Sequence, residues 1–234
     1  MSDALDKVRG VRELPLFPLP VVLFPGVPLP LHVFEERYRR LLADVRVTNN
    51  LFGLSFFDTA EGGGVRPAEG HVGCAAEIIE VQPLEDGRSN ILTVGLVRYR
   101  VASYAETDEP YFVARVEFFE DEEEDAELLA SRARAVTELF ERIGRAVRTL
   151  NDDRASLPDL PEAEPERLSF LVASAMEMDN EIKQELLELR SGAERLARLH
   201  RLLLQAVGSY EERARTHQLA KGNGHAGAKI KFDE

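Results

Sequence analysis

Tryptophan is absent, cysteine occurs once, and no apolar run approaches the length of a membrane-spanning helix. A lone Cys74 cannot close an internal disulfide, which fits a reducing compartment. A spanning helix needs about 18 or more consecutive apolar residues, so no membrane segment is expected. The opening MSDALDKVRG mixes acids and bases and lacks an apolar stretch, so it does not read as a secretory signal. Cytoplasmic placement is the resulting expectation. Positive charge is also in short supply, with 29 Lys and Arg against 42 Asp and Glu and a net charge of −13. Such a chain is repelled by phosphate backbones and by anionic membranes unless a local basic patch intervenes.

Catalytic and ligand signatures are missing too. The histidines His32, His71, His200, His217 and His225 stand at no metal-ligand spacing such as HExxH, and no CxxC exists, so neither metal nor cofactor is expected. No GxSxG elbow is present. The nearest approach to a P-loop, residues 222–230, places its lysine one position late and lacks the Ser or Thr that follows. Cys74, between Gly73 and Ala75, reads as a buried, inert thiol, and His32 as a packed side chain. Were the chain a hydrolase, these two would be its only candidates. The expectation is a protein without catalytic machinery.

What is present divides by period. Residues 11–120 carry short apolar and β-branched runs broken by Pro and Gly, and residues 125–214 carry apolar residues at helical spacing. Glu13–Leu19 opens the first part. Its proline density, from Pro15 to Pro30, argues against a central strand and for short edge strands and turns. Phe34 to Asp44 has helical spacing, and Leu51–Phe57, Val72–Val81, Asn90–Val101 and Tyr111–Phe119 read as strands. Asp86-Gly87 supplies a hairpin turn, and Gly62-Gly63-Gly64 marks a loop. The strands suggest a small antiparallel barrel or sandwich. In the second part, Leu129, Ala133, Val136, Phe140, Ile143, Val147 and Leu150 form one long stripe. Three further helices are expected, the last opened by a capping box at Ser191–Glu194. The fold class is therefore α+β, a β subdomain over 11–120 followed by a helical bundle over 125–214, with a flexible tail over 215–234.

Three charged clusters need a reading. Glu120–Asp125 is an unbroken acidic run, read as a solvated linker that opens the first long helix. Arg37, Arg39 and Arg40 flank Tyr38, and Arg98 and Arg100 flank Tyr99. Arginines interleaved with aromatics suit single-stranded nucleic acid, so Arg37, Arg98 and Arg100 are the candidate contacts of an alternative, RNA-binding reading. The simpler reading turns the tyrosines inward and the arginines outward.

Leu14-Pro15-Leu16-Phe17-Pro18-Leu19, Val21–Gly26 and Leu29–Tyr38 resemble the opening of the Lon protease N-terminal domain family. Phe52-Gly53-Leu54 and Val72–Ile78 are similar to the strands that follow. Gly95-Leu96-Val97-Arg98-Tyr99-Arg100-Val101 resembles the family's G-x-x-R-x-x-V/I strand, and Lys183–Glu188 with Arg195-Leu196 the motif closing its helical part. The likeness extends over about residues 11 to 207. It implies a PUA-like β-barrel followed by a helical bundle, and a role in capturing unfolded or tagged polypeptides rather than in ATP hydrolysis or proteolysis. A separate Lon-type protease is a further candidate partner, although no residue pattern specifies it. Polypeptide capture beside an edge strand, or between barrel and bundle, would involve Phe34, Tyr38 and Tyr99, and the simpler reading of these three aromatics is that they are core.

Overall fold

The computed structural model describes residues 3–57, 66–152, 157–158 and 160–224. The Gly62–Gly64 loop, Asp58, Asp153, His225 and the tail from 225 onward lie outside the described residues. The elements run α1 (Asp3–Lys7), β1 (Glu13–Leu19), β2 (Pro28–Val33), α2 (Glu36–Arg46), β3 (Leu51–Phe56), β4 (Val72–Pro83), β5 (Ser89–Tyr104), β6 (Val113–Phe119), α3 (Ala126–Leu150), α4 (Pro165–Ala175), α5 (Asn180–Glu188) and α6 (Gly192–Gly224).

The six strands form one sheet whose pairings close a circuit, β1–β3–β4–β5–β6 and back to β1. All of these pairs are antiparallel except β1 with β3, which is parallel, so the wholly antiparallel expectation is corrected. The expectation against a central strand at 13–19 is corrected as well, because β1 lies between β3 and β6. The prolines are tolerated because β1 changes partner half-way. Residues 13–15 pair with β6 and residues 16–19 with β3, the two pairings meeting at Leu16, whose N–H donates to Phe112 O, so among the described residues most of each stretch has one side without a strand partner. β5 behaves likewise, pairing with β2 over 89–94 and with β6 over 98–104. Among the described residues β2 is an outer strand attached to β5 alone.

Two glycines permit close passages inside this sheet. A Cβ on Gly95 would sit 2.1 Å from the carbonyl oxygen of Phe24, and one on Gly73 would sit 2.4 Å from the Tyr99 hydroxyl. Tyr99 fills that space completely, and its hydroxyl pairs with Ser55 Oγ at 2.7 Å.

Apolar burial falls into three clusters. Phe17, Phe52 and Ile91 pack under α2 through Tyr38, Leu41, Leu42 and Val45. Leu14, Val97 and Tyr99 form a second cluster, flanked by Val8 after α1. The third joins the helices, with Val136, Phe140 and Ile143 of α3 against Leu196, Leu199 and Leu203 of α6. α3 and α6 run in the same direction, since Arg132 reaches Ala193, Arg142 reaches Glu211, and Asp152 reaches His217. α6 continues past residue 214, where the tail was expected to begin. Asp152 Oδ1 holds that extension through His217 Nε2 at 3.0 Å and through Lys221.

Candidate functional site

Phe34 directly follows β2 and is the most exposed aromatic of the three candidates, with 59% of its surface open. Its ring stacks on His32 at 5.9 Å, and His32 Nδ1 pairs with Asn90 Oδ1 at 2.8 Å. Val27 O accepts the Gly95 N–H, which fixes the ladder so that residues 27, 29, 31 and 33 bond toward β5. Positions 28, 30 and 32 therefore turn their backbone away. Two of these are Pro28 and Pro30, so the free edge offers carbonyl acceptors with a donor only at His32. A regular added strand finds few partners there, and binding must rest on side chains. Pro28, Pro30 and His32 are exposed, whereas Leu29 and Leu31 pack inward on the α2 cluster.

The other two aromatics are not surface groups. Tyr38 is 5% exposed and stacks on Phe17 at 3.9 Å, with the Arg37 guanidinium over its ring. Tyr99 is fully enclosed, and burial holds its hydroxyl well above the usual phenol range. Neither can meet a partner directly. Phe34 alone remains of that trio.

The arginines also divide. Arg37 and Arg100 are exposed, Arg37 paired with Glu35 and Arg100 donating to Gly70 O at 2.8 Å. Arg98 was expected to point outward and is instead 2% exposed. It leaves β5 toward the helices, where it donates to Leu187 O at 3.0 Å, to Leu189 O, and to Asp121. Arg195, also buried, donates to Asp121 from two nitrogens, to Leu189 O at 2.9 Å and to Ser169 Oγ at 2.6 Å. Both guanidinium groups lie against the Phe170 ring. Burial lowers the Arg98 pKa to about 10, offset in part by Asp121. One carboxylate thus serves two cations, and the carbonyls ending α5 supply the remaining negative potential. The two sequence motifs containing Arg98 and Arg195 meet at this point, between sheet and helices.

The acidic run is therefore not a plain solvated linker. Asp121 is the junction carboxylate, Asp125 Oδ1 accepts the Leu128 N–H at the start of α3, and Glu124 accepts from Ala193 N–H and Ser191 Oγ at the start of α6. Ser191 Oγ itself accepts the Glu194 N–H at 2.9 Å, the serine half of the expected capping box. Sequence reasoning missed Asp121, Ser169 and Arg195 as a set because they come from three separate segments. The available signals were an arginine, Arg195, among the apolar positions of α6, and the two resemblance motifs that carry Arg98 and Arg195. Cys74 is buried, its thiol pushed up to about 12. Among the described residues no group of three or more His, Cys, Asp or Glu is placed to hold a metal ion.

Against known proteins, the model of the ATP-dependent protease La (LON) substrate-binding domain matches residues 13–205. The chain belongs to the Lon substrate-binding domain family. It is 31% identical over 208 residues to Lon protease 2 of Herpetosiphon aurantiacus, covering 85% of this chain and 24% of that protein. It is 27% identical to the Lon protease of Aquifex aeolicus, covering 91% and 27%. The chain thus spans about a quarter of the length of these curated relatives. The Lon N-terminal domain protein from Xanthomonas campestris superposes with a TM-score of 0.60 at 26% identity, covering 81% of this chain and 97% of that one. The N-terminal domain of the Mycobacterium avium complex Lon protease shares the fold at the same TM-score and 17% identity. The matches fall on the substrate-binding domain and not on ATPase or protease domains. Among the described residues no helix is long and apolar enough to cross a membrane.

Proposed function

We propose that this protein is a non-enzymatic polypeptide-recognition or adaptor module that captures unfolded or tagged segments, and that it works beside a Lon-type protease. The observation that carries this reading is membership of the substrate-binding family over residues 13–205. The closed strand circuit is read as a PUA-like barrel over 11–120, with the helical bundle over 125–214. The exposed Phe34 ring beside the proline-blocked edge of β2 is the proposed first contact, suited to apolar side chains rather than to strand addition. An RNA-binding role is not favoured. Arg98 is committed to Asp121 inside the protein, and the net charge opposes phosphate binding.

The test is fluorescence anisotropy of a labelled, permanently unfolded polypeptide, with its folded form as control. Saturable binding of the unfolded form alone is the expected result. No binding at high micromolar protein would sink the general-capture reading.

A further inference from the structure

On the surface between the early turns of α3 and α6 lies an open cleft of about 390 Å³. Its walls carry Ser131, Arg132, His200 and Arg201, and its apolar surface includes Ala135 and Ala197. The small alanines leave the space open where the two parallel helices approach. Arg132 is anchored, donating through Nη1 to Ala193 O, which fixes its guanidinium at the rim. Arg201 is exposed and, among the described residues, has no ion pair. Glu124, the nearby helix-capping acid, is committed to Ala193 and Ser191. Glu138 and Glu194, on the flanking turns, do not line the cleft.

This is a small site with two guanidinium groups, an imidazole and a hydroxyl beside an apolar floor, in a chain whose net charge is −13. Among its lining residues the His200 imidazole is the one aromatic ring, and no Phe, Tyr or Trp offers bases a broad platform to stack on. The ligand must bring an anion and an apolar group within a few ångströms of each other. A polypeptide C-terminus does so, because its α-carboxylate and its last side chain share one Cα. An internal Asp or Glu brings the anion without an apolar body of its own. We propose that this cleft receives the C-terminal residue of a polypeptide, with the free carboxylate between Ser131, Arg132 and Arg201 and an apolar side chain over Ala135 and Ala197. The inference rests on the polypeptide-recognition reading above and names a feature the captured chain would display.

The test uses the full chain and a short, N-terminally labelled, unstructured peptide ending in leucine. It is offered as the free acid, as the C-terminal amide, and as an amide with an internal glutamate. The free acid should bind about tenfold more tightly than either amide, as expected for a charge-assisted contact. Arg201→Glu and Ser131→Glu, both at exposed helix positions, should erase that difference without changing the thermal midpoint. Equal binding of acid and amide, equal binding of the internal-glutamate amide, or a preference that survives both substitutions would overturn the C-terminal assignment. Each of those results leaves general capture standing if the unfolded polypeptide still binds. Failure of every peptide and of the unfolded polypeptide would overturn both readings.

Discussion

Replacing Asp121 with asparagine would leave Arg98 and Arg195 side by side, buried, with no carboxylate between them. Breaking a buried charge cluster by removing one partner costs about 3–5 kcal/mol, so Asp121→Asn should lower the urea midpoint by far more than a surface change. A midpoint within error of the parent would refute the junction described for these three residues. Phe34 stands at the other extreme. Phe34→Ser should weaken unfolded-polypeptide binding several-fold while changing stability by no more than about 0.5 kcal/mol, as for exposed positions generally; unchanged anisotropy titrations would remove Phe34 from the site. Cys74 should resist a thiol reagent in the native protein and react once the chain is denatured, because the thiolate is disfavoured by burial. At this scale the sequence was informative about type and weak about direction. The neighbours Arg98, Tyr99 and Arg100 are alike in pattern to any half-buried strand. The outward-facing expectation for Arg98 failed because it treated the far side of β5 as solvent, whereas the end of α5, Phe170 of α4 and the Asp121–Arg195 pair enclose its side chain there.

Elements were more legible than residues. The stripe from Leu129 to Leu150 marked α3, and the serine at 191 marked the start of α6, since helical period and caps are local properties. Strand neighbours were not legible, because pairing is non-local and prolines in β1 argue against a central position unless the strand changes partner. Ser191→Ala should cost about 1 kcal/mol, the usual loss for an N-cap hydroxyl. The end of α6 carries a pH dependence. Asp152 has a carboxyl lowered to about 2 by Lys221 and then His217. A depressed carboxyl stabilises the fold above its ordinary range, and that contribution is lost as pH falls through the folded value. Pepsin should therefore cut near Leu219 increasingly between about pH 4 and about pH 2, and Asp152→Asn should be cut already at the upper end. Uniform resistance across this range would show that α6 is held there by something else.

Taken as a whole, the molecule is one sheet and one helical group joined by a segment whose acids cap both long helices. Cap, neutralising carboxylate and linker occupy six consecutive positions, Glu120–Asp125, which explains why a run that looks solvated is largely engaged. The same-direction pairing of α3 and α6 has a consequence for how the protein is made. α3 is complete at residue 150, α4 then covers part of the apolar stripe it carries, and the larger remainder waits until α6 has been made to about Val207. At roughly 5–20 residues per second that interval is about 3 to 11 seconds. Until then the nascent chain itself presents the kind of exposed apolar surface that the finished protein is proposed to recognise in others.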